Sequence, residues 1–388
     1  MPTVKRLTPN DYDEALFVLN EAFSYANDGT LLGKRADFEK HLPIMWTREH
    51  DYMSRHFGVR ENGRLVALLG VYPLPVNIAG HGLLFGTIGN VGTLHAHRGK
   101  GYMKLLMAAA LEEADRLGLD AARLDGLRSR YNRHGFEHAG SLYGFTLTAR
   151  NASEHPPRLD CRFIPIEPDD LSAISFARAC QQKSGIYALR ETPLDFYMTL
   201  RAWEYIPYLA LSDRQPVGYL CASADGSAIA EYGVTDDLPP CDLLSSWLLN
   251  RGLPSLVFSA EPADVLTVRD ALSRCERWNV SAASMFNVFH WDRVADALLD
   301  LRCRMSPLPD GAASLGIEGW GMLEMTVQNR RGSARRTASP APLTLDRLAA
   351  ARFLFGPLAP AAVGDVPADS PLNAWLPLPL SWNGQDRV

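Results

Sequence analysis

The 388-residue chain has no cysteine before residue 161. Its six cysteines (Cys161, Cys180, Cys221, Cys241, Cys275 and Cys303) form no Cys-x-x-Cys pair, and the closest two, 161 and 180, stand 19 positions apart. Zinc-site spacing is therefore missing, and reduced thiols in a cytoplasmic protein are expected. The start, Met-Pro-Thr-Val-Lys-Arg-Leu-Thr, lacks the apolar segment of a signal peptide. An excess of basic charge is missing as well. Lys and Arg number 39 against 44 Asp and Glu, a formal net charge of −5, which gives no general electrostatic case for nucleic acid. Charge of either sign is missing from 65–94, which holds no Asp, Glu, Lys or Arg. Pro73, Pro75, Asn77, His81 and six glycines interrupt that stretch. Turn residues at this density read as successive buried strands rather than a membrane helix.

What is present reads as a soluble globular chain, with 47% hydrophobic and 21% charged residues. The length exceeds one typical core and implies two or three domains. Val4–Leu7 reads as a strand, with Thr8 as N-cap, Pro9 and Asp11 opening a helix. Phe57–Gly70 reads as strand, turn at Glu61-Asn62-Gly63, and strand. Asn151–Arg158 reads as a linker. A second copy of the plan then begins: Ile166-Glu-Pro-Asp-Asp echoes Leu7-Thr-Pro-Asn-Asp, and 208–220 echoes the strand pair at 57–69. Leu315–Val327 reads as strands, Asn329–Pro342 as a mobile polar loop, Thr344–Phe353 as a capped helix, and Pro371–Trp382 as a segment docked by its tryptophans.

Between a strand ending near Leu94 and a helix with apolar Met103, Leu106, Ala110, Ala114 and Leu117 lies Arg98-Gly-Lys-Gly-Tyr-Met. A glycine loop opening a helix leaves backbone N–H groups free to hold phosphate. At the matching place in the second copy stands Thr235-Asp-Asp-Leu-Pro-Pro, whose prolines lack that donor.

The strand, Arg98-x-x-Gly101 and helix resemble the pyrophosphate loop of the GNAT acyl-CoA N-acyltransferases, with Met103 in place of the final Gly or Ala. Tyr131-Asn-Arg-His-Gly-Phe resembles the family's Tyr-x-x-x-Gly-Phe element. The chain as a whole resembles the enhanced intracellular survival (Eis) branch. That resemblance implies an α/β (α+β) fold of tandem GNAT domains, the second degenerate, and a small C-terminal α+β domain similar to sterol carrier protein 2. The expected borders are 1–155, 156–300 and 301–388.

The resemblance further implies acetyl-CoA as cosubstrate, no metal, and direct transfer to an amine. Val91, Gly92 and Thr93 would contact the pantetheine arm. Arg98, Gly99, Lys100, Gly101, Tyr102, Met103 and Lys104 would form the loop contacts, with Gly126 and Leu127 flanking the thioester. Tyr131 would be the general acid and the carboxylate of Val388 the general base. His95 and His97 read as loop histidines near phosphate rather than ligands. Asp28, Glu204 and Glu231 read as ordinary solvated carboxylates. The family tends to form homo-oligomers; neither nucleic acid nor membrane is expected as partner. A non-catalytic acyl-CoA- or lipid-binding sensor or scaffold is the alternative reading.

Overall fold

The computed structural model describes residues 3–26, 32–236 and 238–388; Asp28 lies outside them. The chain opens with β1 (Val4–Arg6) and α1 (Tyr12–Ser24). The Thr8 backbone N–H donates to Asp11 at 2.7 Å, which sets the helix entry. After α2 (Phe38–His41) come β2 (His56–Glu61) and β3 (Arg64–Ile78), joined through Asn62 and Gly63, both at positive φ. The uncharged stretch is β3 and β4 (His81–Thr93), long strands with most residues buried. Next follow α3 (Tyr102–Arg116), β5 (Ala121–Leu124), α4 (Arg128–Tyr131), β6 (Glu137–Ala139) and β7 (Leu142–Thr148).

The middle of the chain continues with α5 (Ala149–Glu154), so the expected linker begins as a helix capped by the Thr148 side chain. Then come β8 (Arg162–Pro165), α6 (Leu171–Gln181), β9 (Ile186–Ala188) and α7 (Pro193–Leu200). The run goes on with β10 (Ile206–Ser212), β11 (Gln215–Ala222), β12 (Ile229–Val234) and α8 (Pro240–Asn250). It closes with β13 (Ser255–Ala260), α9 (Val265–Arg274), β14 (Arg277–Ser281) and β15 (Ser284–Val288).

The last part comprises α10 (Trp291–Met305), β16 (Gly311–Ile317), β17 (Gly321–Gln328), β18 (Arg331–Thr337), β19 (Thr344–Leu345), α11 (Arg347–Phe355) and α12 (Leu372–Trp375). Half of the expected polar loop at 329–342 is strand β18. It pairs in register with β17, placing Arg335 opposite Glu324 at 2.6 Å. Gly332 and Ala334 let one face of β18 lie under α10 while Arg331, Ser333 and Arg335 on the other stay wet.

Strand order in the first sheet is β1-β2-β3-β4-β5-β15-β6, with β9 on the edge of β3. The middle of the chain repeats this order in two pieces, β8-β10-β11-β12 and β13-β7-β14. Thus β15 lies between β5 and β6, while β7 lies between β13 and β14. Each half lends a strand to the other. The expected border at 155 misplaces β7, and the border at 300 cuts α10, which packs on β17 and β18. Burial continues across these borders. One apolar core joins Val76, Ile78 and Phe85 of the first sheet to Leu323, Phe353 and Trp375. Among the described residues no helix is long and apolar enough to cross a membrane, and no cluster of three His, Cys, Asp or Glu is placed to hold a metal.

Candidate active site

Strand β4 runs to Thr93, turns through His95–His97, and reaches the loop. Gly99 and Gly101 have φ of +80° and +81°, and a Cβ at either would meet nothing within 4 Å. Glycine is needed there for left-handed backbone, not for space. Gly101 caps α3, so the N–H groups of Tyr102 and Met103 precede any helical carbonyl. Lys104 N–H already bonds the Gly101 carbonyl at 3.0 Å. Met103 packs against the core under the first sheet, so its side chain leaves the loop open.

The loop's side chains face different partners. Arg98 donates to the carbonyls of Ala22 and Ala26 at 3.1 Å each, tying the loop to the end of α1. Lys100 Nζ and His97 Nδ1 both lie 2.9 Å from Glu61. Lys100's hydrogen bond holds the Glu61 carboxyl below its ordinary pKa, with charge attraction adding to it.

The parallel ladder between β4 and β5 covers only Phe85–Thr87 against Ala121–Arg123. Beyond it β5 ends at Leu124 while β4 continues to Thr93. Gly92 and Thr93 therefore pair with Leu68 and Ala67 of β3 on one side, Val91 stands at the register shift beside them, and among the described residues no strand pairs with the three on the other side. An edge of this kind presents backbone donors and acceptors to a ligand. The opening coincides with a register shift against β3, at which Asn90 takes φ +54°. Asn90 is buried and its amide donates to the Tyr72 hydroxyl. That hydroxyl donates to His56 Nε2 at 2.6 Å, while His56 Nδ1 donates to the Tyr52 carbonyl at 3.0 Å. Burial pushes the His56 pKa down to about 4 despite that backbone bond, so the ring is neutral.

Tyr131 ends α4, buried against Gly126. Arg128 fixes this short helix through Glu137, at 2.6 and 2.5 Å. Burial raises the Tyr131 pKa, with the Arg130 charge opposing, so the phenol keeps its proton. Far away in sequence, the C-terminal segment returns to this place. Trp382 is buried and stacks on Phe85 with centroids 5.9 Å apart. Val388 then lies on Gly89 of β4. A Cβ added to Gly89 would stand 2.4 Å from Val388 Cγ2 and 3.0 Å from its carboxyl carbon and oxygen.

One cavity of about 930 Å³ has Gly89, Val91, Gly126, Leu127, Tyr131 and Val388 in its walls. Val388 also lines a smaller cavity of about 110 Å³ with Tyr72, Thr87 and Asp195. Two other carboxylates line the large cavity. Burial pushes Glu261 up to about 7, its oxygen accepting from Ser184 at 3.0 Å. Burial raises Asp125 too, but Arg123 and Arg387 outweigh it and hold it below its ordinary value.

Residues 3–139 match the family model for the acetyltransferase (GNAT) domain. The match lies in the N-terminal part of the chain. Across its whole length the chain shares its fold with a GCN5-related N-acetyltransferase from Kribbella flavida, at TM-score 0.68 and 16% identity over 100% of this chain and 98% of the other. A second such enzyme, from Anabaena variabilis, gives 0.65 and 15% over 99% and 98%. Eis1 from Mycobacterium abscessus gives 0.64 and 13% over 100% of both chains. Identities this low show a common fold. No curated protein matches the chain in sequence.

Within the matched residues, those expected from the sequence gather at the end of β4, the loop and Tyr131. Lys104 is set apart by its bonded N–H, and the Arg98 guanidinium is turned to α1 rather than to the loop's mouth. Sequence reading missed Glu61, the His56–Tyr72–Asn90 group and Glu261. None belongs to a motif. The only local sign was Lys100 in the loop, with no carboxylate nearby in sequence to answer it. Glu204 pairs with His41 at 3.1 Å. Glu231, expected in solvent, is buried.

Proposed function

We propose that the chain is an acetyl-CoA-dependent N-acetyltransferase that moves the acetyl group to a primary amine of a small molecule or peptide, by direct transfer in a ternary complex. The observation that carries this is the meeting of the open β4 edge, Tyr131 and Val388 in the wall of one cavity. The N–H groups of Gly99, Tyr102 and Met103 suit the pyrophosphate, and the open side of Val91–Thr93 suits the pantetheine amides. Acetyl-CoA supplies the thioester. A β4 N–H beside Asn90 stabilises the charge that develops on the carbonyl oxygen. The Val388 carboxylate takes a proton from the attacking amine, and Tyr131 gives one to the departing sulfur. Carbon–nitrogen bond formation, carbon–sulfur cleavage and the two proton transfers then balance.

Asp125 is kept ionised and weakly basic by two arginines, and the base in this reading is Val388. It stands in the walls of both cavities, where donor and amine would meet. Glu261 is the competing base. In this reading three units share the work: a GNAT domain, a degenerate GNAT-like copy, and a C-terminal part similar to sterol carrier protein 2 that begins with α10. The repeated strand order supports the second copy. Its α8 starts at Pro240, and buried Asp242 in its first turn bonds Arg274 at 2.7 Å, a negative group where phosphate would sit.

The test is a thiol-release screen with acetyl-CoA and a panel of polyamines, aminoglycosides, peptides and amino-acid amines. Release dependent on one amine class supports the reading. Acetyl-CoA binding without release on any amine favours a sensor or scaffold. Deleting Val388 or adding residues after it, compared with Glu261→Gln, identifies the base by which change abolishes turnover.

A further inference from the structure

A chain end is ordinarily the most mobile part of a protein, yet a base must be held within a fraction of an ångström of its target. Asp386, two residues before Val388, is part of a buried cluster. Its carboxylate accepts from Arg190 Nε and Nη2 at 3.1 Å each. The same guanidinium donates to both oxygens of Glu231 at 2.9 and 2.6 Å, and Tyr219 donates to Glu231 at 2.7 Å. The side chains of Arg190, Glu231 and Asp386 are 2%, 1% and 5% exposed.

The three groups come from separate segments. Arg190 follows β9, the strand on the edge of the first sheet; Glu231 belongs to β12; Asp386 is in the C-terminal segment. The backbone around Asp386 is held too. Trp382 Nε1 donates to its carbonyl at 3.1 Å, Trp203 Nε1 to that of Arg387 at 3.3 Å, and Gln385 Nε2 to that of Leu200 at 2.9 Å. A buried ion cluster adds little net stability over apolar packing of the same volume. Its charges and bidentate forks instead tolerate one arrangement only. From Asp386 to Val388 the chain spans at most about 7 Å, so fixing the first restricts the second.

We infer that the Arg190–Glu231–Asp386 cluster is a clamp that positions the Val388 carboxylate on Gly89, a role that rests on reading Val388 as the base. The second half of the molecule, which starts its helix without a glycine loop, then serves the chemistry of the first by holding its base. Arg190 and Asp386 also border the smaller cavity, but in this role they act through Val388 and are positioning residues.

The test uses the full chain with Asp386→Asn and Glu231→Gln, neutral variants of equal shape; Arg190→Met would strip the cluster of its cation and endanger the fold. Turnover is measured with the amine found in the screen, and hydrogen exchange is followed in the peptide covering 383–388. The clamp requires turnover to fall about tenfold or more while acetyl-CoA affinity stays within about twofold. Exchange in that peptide should quicken by about tenfold or more. In a chain lacking Val388, Asp386→Asn should lower turnover no further, because both changes act through one group. Unchanged exchange and turnover overturn the clamp, as does a full additional loss in the Val388-deleted chain. If deleting Val388 leaves turnover intact, the base assignment fails and the clamp with it. If deletion abolishes turnover while Asp386→Asn changes nothing, the clamp alone fails.

Discussion

Replacing Gly89 by alanine adds one methyl group at the point where β4 supports Val388. The backbone there is not left-handed, so alanine meets no conformational obstacle. The obstacle is space. Carbon atoms pack at about 3.5–4.0 Å, whereas the new Cβ would lie 2.4 Å from Val388 Cγ2 and 3.0 Å from its carboxyl carbon. Relief of the closer contact requires Val388 to retreat by about 1 Å, a misplacement worth about a hundredfold in rate. That equals about 2.7 kcal/mol of barrier. Stopped or continuous thiol-release assays at saturating acetyl-CoA read it as kcat, with calorimetry showing unchanged acetyl-CoA affinity. Val388→Gly in the same chain removes the atom in closest conflict and should restore about tenfold of the loss, since a shortfall of about half an ångström remains. Wild-type turnover in Gly89→Ala, or no recovery in the double variant, would refute a carboxylate seated on Gly89 as base.

Tyr131→Phe should lower kcat about a hundredfold and leave acetyl-CoA affinity within about twofold, as loss of a proton donor does. Because burial raises the Tyr131 pKa, wild-type activity should persist above the ordinary tyrosine value before an alkaline limb appears; equal rates for the two proteins at every pH would exclude the phenol as acid. Gly101→Val forces a branched residue to φ +81° and should weaken acetyl-CoA binding about tenfold by calorimetry; unchanged affinity would show that the loop does not hold the cofactor. His56, at about 4 when folded, ordinarily titrates near 6.5. The unfolded chain takes up its proton first, so stability is intact above about 6.5 and declines as pH falls to about 4, by up to about 3 kcal/mol. Urea midpoints at pH 7 and pH 5 should lie closer together in His56→Gln than in wild type; an equal gap would place the acid sensitivity elsewhere.

The parts legible in the sequence were those encoded locally. Gly99 and Gly101 announce left-handed turns, Asn62-Gly63 a hairpin, and Thr8 with Asp11 a helix start. The motif around Tyr131 marked it as a candidate residue, and it lines the large cavity. Long-range facts left no such trace. Nothing in the order of residues 142–148 and 284–288 says that they trade sheets. Arg190, Glu231 and Asp386 look like any surface charges until three distant segments bury them together. Arg98 matched the motif, yet its guanidinium reaches the carbonyls of Ala22 in α1 and Ala26 just past it, 76 and 72 positions away. The strand β18 hid behind its arginines, because composition suggested solvent while register decided the pairing.

The exchange of β7 and β15 also bears on how the molecule is made. With β5 and β6 on either side of β15, a nascent chain ending near residue 155 has a slot about 10 Å wide, two strand spacings, in its first sheet. The slot stays open on the ribosome until residue 288 has emerged. Until then β7 likewise waits for β13 and β14 to be synthesised. Sequential, one-domain-at-a-time folding is therefore closed to this chain, and the open strand borders in the interim are a place for chaperones to act or for aggregation to begin. Expression of residues 1–155 alone should yield insoluble protein, and adding 284–288 as a separate peptide should improve its solubility.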